Sequence, residues 1–141
     1  MIKVDKINKS FNKLMRDLTD LKLRSDMQLA STYAGLAISH TRTAIAHSIS
    51  YPMTLAYDMP HGLACSFTLP KILQEHLENL NDGEEKEILL ETYEILSAID
   101  FKTEVESYTK GDDYSKLKDQ MFTKERAANF KYSIDSITKY L

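Results

Sequence analysis

His47 and His61 lie 14 positions apart in the stretch from Ala44 to Pro70, AIAHSISYPMTLAYDMPHGLACSFTLP. Neutral imidazole is a common ligand for iron, zinc and nickel. Two imidazoles brought to one point would therefore make half of a metal site. A catalytic metal normally has three or more protein ligands and one open position, so the pair alone would hold an ion weakly. Residue type and spacing also allow a plainer reading, in which the two histidines are unrelated core or surface positions. Tyr51 stands one helical turn beyond His47. Cys65 stands one turn beyond His61 and reads as a small buried hydrophobe rather than a nucleophile. His40 reads as a packing or interface residue, and His76, among Gln74, Glu75 and Glu78, as a solvated one.

The elements that must position these residues are helical. Ile7, Phe11, Leu14, Met15, Leu18 and Leu21 recur at helical spacing, which predicts a helix over 5–22. A longer helix is predicted over 25–50, with Ser25 or Asp26 as N-cap. Its richness in alanine, serine and glycine suits close approach by neighbours, so it is expected to be the central, buried helix. Pro52 is expected to end it, which places His47 near a helix end. After a connection over 53–59, Pro60 suits the first turn of the next helix, running from His61 to about Leu80 with a kink or break at Pro70. Asn81 or Asp82 caps a further helix, with Glu84, Glu85 and Glu87 in its first turn. Residues 100–111 read as a connection. Two shorter helices follow, over 113–121 and 123–140, the second starting at Thr123 with Arg126 at its third position. No stretch alternates like a strand. The expectation is one all-α domain over 1–141, a bundle of about six helices.

Composition excludes several classes. The net charge of −3 gives no electrostatic footprint for nucleic acid. The apolar run over 29–49 is interrupted by His40, Arg42 and His47, which argues against a membrane span. One cysteine rules out an internal disulfide and fits a reducing, cytoplasmic setting. The glycines, Gly35, Gly62, Gly83 and Gly111, are scattered, and a dinucleotide fingerprint or phosphate loop needs them clustered.

The stretch AxHxxxxPMTLAYDMPHGLACSFTLP resembles the core motif of the iron-containing (group III) alcohol dehydrogenases. In that family a helix ends in His, a proline follows five residues on, and Pro-His-Gly opens the next helix before an apolar run ending in Leu-Pro. The resemblance extends to Arg24–Ala37, RSDMQLASTYAGLA, and to Arg126–Leu141, RAANFKYSIDSITKYL. It covers nearly the whole chain and is weakest from Asn81 to Phe122. The run TRTAIAHSISYP with PHGLACSFTLP is similar to the branch associated with phosphonate metabolism.

The resemblance implies the helical C-terminal domain of an NAD(P)-linked oxidoreductase acting on a small alcohol or aldehyde. His47 and His61 would be ligands of a divalent metal, Fe2+ or else Zn2+. Tyr51 would lie near the catalytic centre, at a position where many members have a second histidine. A phenol donates a hydrogen bond but releases its proton far less readily than imidazolium. Arg42 would suit an anionic substrate. The family's other two ligands, spaced Asp-x-x-x-His, and its Gly-Gly-Gly-Ser nucleotide motif are not in the sequence. The chain is therefore expected to be a fragment whose N-terminal dinucleotide-binding domain is absent or supplied by a partner chain. Alone it is expected to be inactive, and its exposed apolar surface to promote a homo-oligomer. The rival expectations are a non-catalytic helical interaction module, a decayed remnant of such an enzyme, or chemistry closer to glycerol dehydrogenase or dehydroquinate synthase.

Overall fold

A computed structural model describes residues 2–41, 43–123, 130 and 134–141. Every regular element among these is helical: α1 (Ile2–Leu14), α2 (Leu21–His40), α3 (Ile45–Tyr57), α4 (His61–Ser66), α5 (Leu69–Glu78), α6 (Glu84–Ser97), α7 (Phe101–Thr109), a 3-10 turn (Tyr114–Leu117) running into α8 (Lys118–Met121), and α9 (Ile134–Tyr140). The all-α expectation is met, with more and shorter helices than six. No helix among the described residues is long and apolar enough to cross a membrane.

The core is built on α3. Ile45, Ile49 and Met53 recur every fourth residue and are fully buried, which is the spacing that lines one helix face. They pack with Met59, Ala64, Phe67, Phe101, Val105, Leu117, Met121 and Ile137. The Ser48 hydroxyl donates to the Met121 carbonyl and ties α3 to α8. Elsewhere α1 packs against α2 and α6, and α5 packs against α6. Asn8 is buried in α1; its Nδ2 donates to the Ile88 carbonyl at 3.0 Å, and its Oδ1 accepts from Thr92 Oγ1 at 3.1 Å.

Several expectations are corrected. The helix predicted over 5–22 stops at Leu14. Asp17 then accepts from the Thr19 backbone N–H and hydroxyl at 2.9 and 2.6 Å, a local alternative to helical bonding. The next helix starts at Leu21, where Asp20 accepts from Lys22 and Leu23 N–H at 2.9 and 3.0 Å, so the predicted N-cap lies about one and a half turns too late. The helix predicted over 25–50 is two helices. Thr41 leaves helical angles (φ −121°, ψ 175°) while its hydroxyl donates to the Ala37 carbonyl at 3.0 Å; Thr41 and Thr43 are β-branched and weak helix formers. Nor is α2 central, since Ala30 is its one buried residue.

Pro52 does not end the helix. It lies inside α3, which closes only at Asp58 in the left-handed region (φ 53°). An internal proline costs about 3 kcal/mol. Full burial of each large apolar side chain returns about 1.5–3 kcal/mol, and Ile49 and Met53, flanking Pro52, are both 0% exposed. Packing on both sides of the proline therefore outweighs its local cost. Pro70 behaves more nearly as expected: the break falls just before it, and Pro70 occupies the first turn of α5. The connection predicted over 100–111 contains α7, capped by Asp100 accepting from Thr103 N–H at 3.1 Å, with Phe101, Val105 and Thr109 buried at helical spacing.

Candidate metal centre

Two short helices and one turn build the site. His47 is in the first turn of α3, at the N-terminal end of a helix rather than the C-terminal end expected, because α2 stops at His40 and α3 starts at Ile45. Asp58 adopts left-handed angles, Met59 is buried in the core, and Pro60 precedes His61, the first residue of α4. Burial of Met59 between α3 and α4 pins the turn, so the two helices return His61 to the side of His47. The ring centroids stand 5.5 Å apart with planes at 63°. Tyr51, one turn along α3, has its ring 5.8 Å from that of His61.

A third side chain with a potential ligand atom stands beside them. Cys65 Sγ lies 3.5 Å from His61 Nε2. Ligand atoms of His47, His61 and Cys65 all lie within 4.8 Å of one another. His47 and Cys65 are half-buried, and His61 faces solvent.

Burial holds His47 below its ordinary value, and the nearby imidazole of His61 pushes the same way. Both effects favour the neutral form, which is the ligating one. Burial raises the Cys65 thiol, while the Ser50 side chain opposes that by hydrogen bonding. Two imidazole nitrogens and a sulfur, partly shielded and open on the His61 side, fit a borderline divalent ion.

His47, His61 and Tyr51 are thus brought together. Arg42 and the predicted helix start with Arg126 lie outside the described residues. Cys65 was missed as a group that faces the histidines. The signal for it is the spacing His-x-x-x-Cys, which places both side chains on one helix face.

The Fe-containing alcohol dehydrogenase family, C-terminal, is matched over residues 1–131, and the chain belongs to that family. Its all-helical architecture agrees with the domain that the motif implied. Phosphonoacetaldehyde reductase of Streptomyces viridochromogenes is 35% identical over 65 residues, which are 46% of this chain and 16% of the reductase. 1,3-Propanediol dehydrogenase of Citrobacter freundii is 34% identical over 59 residues, 42% of this chain and 15% of that enzyme. 4-Hydroxybutyrate dehydrogenase of Clostridium kluyveri is 27% identical over 105 residues, 74% of this chain and 26% of that enzyme. The chain thus spans about a sixth to a quarter of the length of these relatives. No solved structure matches it.

Proposed function

We propose that this chain is the metal-holding helical part of an NAD(P)-linked alcohol or aldehyde oxidoreductase, with His47 and His61 as two ligands of a divalent ion, iron before zinc. The observation that carries the reading is the convergence of the two rings, 5.5 Å apart, on a turn pinned by Met59. A decayed remnant or a plain interaction module has no need of that convergence.

When bound, a divalent ion supplies Lewis-acid polarisation of an alcohol or carbonyl oxygen. The chain's residues do the rest of the local work. Half-burial of His47 limits water on one side. Tyr51, 39% exposed, stands beside His61, where its hydroxyl is suited to hydrogen-bond a substrate oxygen. Arg42, three positions before α3 in the sequence, is of a type suited to an anionic substrate. The similarity to an enzyme named for phosphonoacetaldehyde supports that choice. The hydride chemistry belongs to the nicotinamide, and these 141 residues hold only four scattered glycines. The dinucleotide is therefore assigned to a further domain or a partner chain. A single cysteine fits a cytoplasmic setting.

The test is Fe(II) and Zn(II) binding by the purified chain, measured beside a His47→Ala, His61→Ala double variant whose helicity is checked by circular dichroism. Binding that disappears in the folded double variant is the expected result. Equal binding by both proteins would remove the two histidines from the site.

A further inference from the structure

We infer that Cys65 is a third metal donor, so that this chain presents a His-His-Cys set rather than a pair of histidines. The inference rests on the reading of His47 and His61 as ligands and deepens it.

Geometry carries the argument. His61 and Cys65 are four apart on α4 and share a face. Their donor atoms are 3.5 Å apart. In a tetrahedral zinc site, bonds of about 2.3 Å to sulfur and about 2.0–2.1 Å to nitrogen put the two donors about 3.5–3.6 Å apart. One edge of the coordination polyhedron is therefore already at its bound length. The remaining edges, no longer than 4.8 Å, must close to about 3.3–3.6 Å on the same bond lengths. Both remaining edges run to His47, so a movement of the half-buried His47 side chain toward the other two donors closes them together.

Chemistry points the same way. Within this chain two ligands would leave an ion weakly held, and a third donor beside them raises the set that the chain itself presents to three. On binding, the Cys65 S–H bond breaks, its proton passes to solvent, and the sulfur lone pair forms the S–metal bond; nothing is oxidised or reduced. A thiolate is a soft ligand, so the set favours zinc or cobalt over magnesium or manganese.

Co(II) alone is the probe, titrated anaerobically into the 141-residue chain. The expected result is a near-ultraviolet thiolate-to-cobalt charge-transfer band in the wild type and its loss in Cys65→Ser. Loss of an outer-shell partner costs roughly 10–100-fold in metal affinity, and loss of a direct donor should cost at least as much. A second readout needs no cysteine variant. Cys65 is the sole cysteine, so its alkylation rate reports on one atom. Zn(II) should slow that rate in the wild type and leave it unchanged in the His47→Ala, His61→Ala variant. Cobalt binding without the band, with equal affinity in Cys65→Ser and no protection from alkylation, overturns the inference and leaves the histidine pair standing. No cobalt binding by the wild type overturns both.

Discussion

Helices α2 and α3 follow one another in the chain and share a taste for alanine, serine and aliphatic residues, yet they meet opposite fates. α3 buries Ile45, Ser48, Ile49, Ser50, Pro52 and Met53. α2 is seven residues longer and buries Ala30 alone. Leu36 and Ile38, on its second half, are 54% and 47% exposed. α3 carries its large residues in steps of four and has partners on several sides, in α4, the 3-10 turn and α8. α2 packs chiefly against α1, and its large residues are scattered around the helix. Small residues permit close approach by a neighbour; they do not supply one. What buries a helix is a stripe of large side chains with something to face.

The sharpest way to break this contrast is a matched pair of truncations. Ile49→Ala should destabilise the chain by about 2–5 kcal/mol, the usual cost of emptying a core site. Leu36→Ala, at an exposed position, should change stability by no more than about 0.5 kcal/mol. Urea unfolding of both variants measures the difference. A Leu36→Ala effect as large as that of Ile49→Ala would mean that the α2 face is covered in solution. Light scattering would then show whether a second copy covers it.

A smaller effect should follow from Asn8→Ala. Asn8 bonds both Ile88 and Thr92 of α6 from a buried position. Because α1 is the chief support of α2, loosening α1 from α6 loosens both. Removing the amide should cost about 1–3 kcal/mol. Amide hydrogen exchange should quicken in α1 and α2 and stay unchanged in α3. Uniform quickening across all three helices would show that the two halves unfold as one unit and that the contrast has no energetic counterpart.

The same contrast marks how far the sequence could be read. The start of α4 at His61 was legible because the run Pro60-His61-Gly62 is a local signal, whereas the connection expected over 53–59 is helical as far as Tyr57. The buried stripe of α7, Phe101, Val105 and Thr109 behind the cap of Asp100, is an equally local signal, although residues 100–111 read as a connection in the sequence. The survival of helix through Pro52 was not legible, because it depends on burial of Ile49 and Met53 by residues as distant as Met121 and Ile137. The interruption between α2 and α3 has only Thr41 and Thr43 to announce it. That break is what moves His47 into a first turn. Cys65 illustrates the opposite failure. Its spacing from His61 was plain, but a lone cysteine is so often a buried hydrophobe that only the 3.5 Å distance to His61 gives the spacing meaning.

The mildest expected effect concerns protonation where the buried helix reaches the surface. His47 is held below its ordinary value of 6.5, first by burial and second by His61. The neighbouring His61 imidazole disfavours a positive charge on His47, so His61→Ala should raise the His47 midpoint. The rise should stop short of 6.5, since burial, the larger cause, remains. In the window just below 6.5 the unfolded chain binds more protons at this residue than the folded chain. Stability therefore falls as pH drops from 6.5 to the depressed value and is flat below it. The same depression means that protons compete less with a metal for His47 than for an ordinary histidine, so ligation should persist further into acid. Titration of the His47 ring by proton NMR, in the metal-free wild type and in His61→Ala, measures both shifts. A wild-type midpoint at or above 6.5 would show that α3 does not shield the ring. An unchanged midpoint in the variant would show that the two imidazoles are not neighbours in solution, and with that the convergence on which the metal reading stands would be lost.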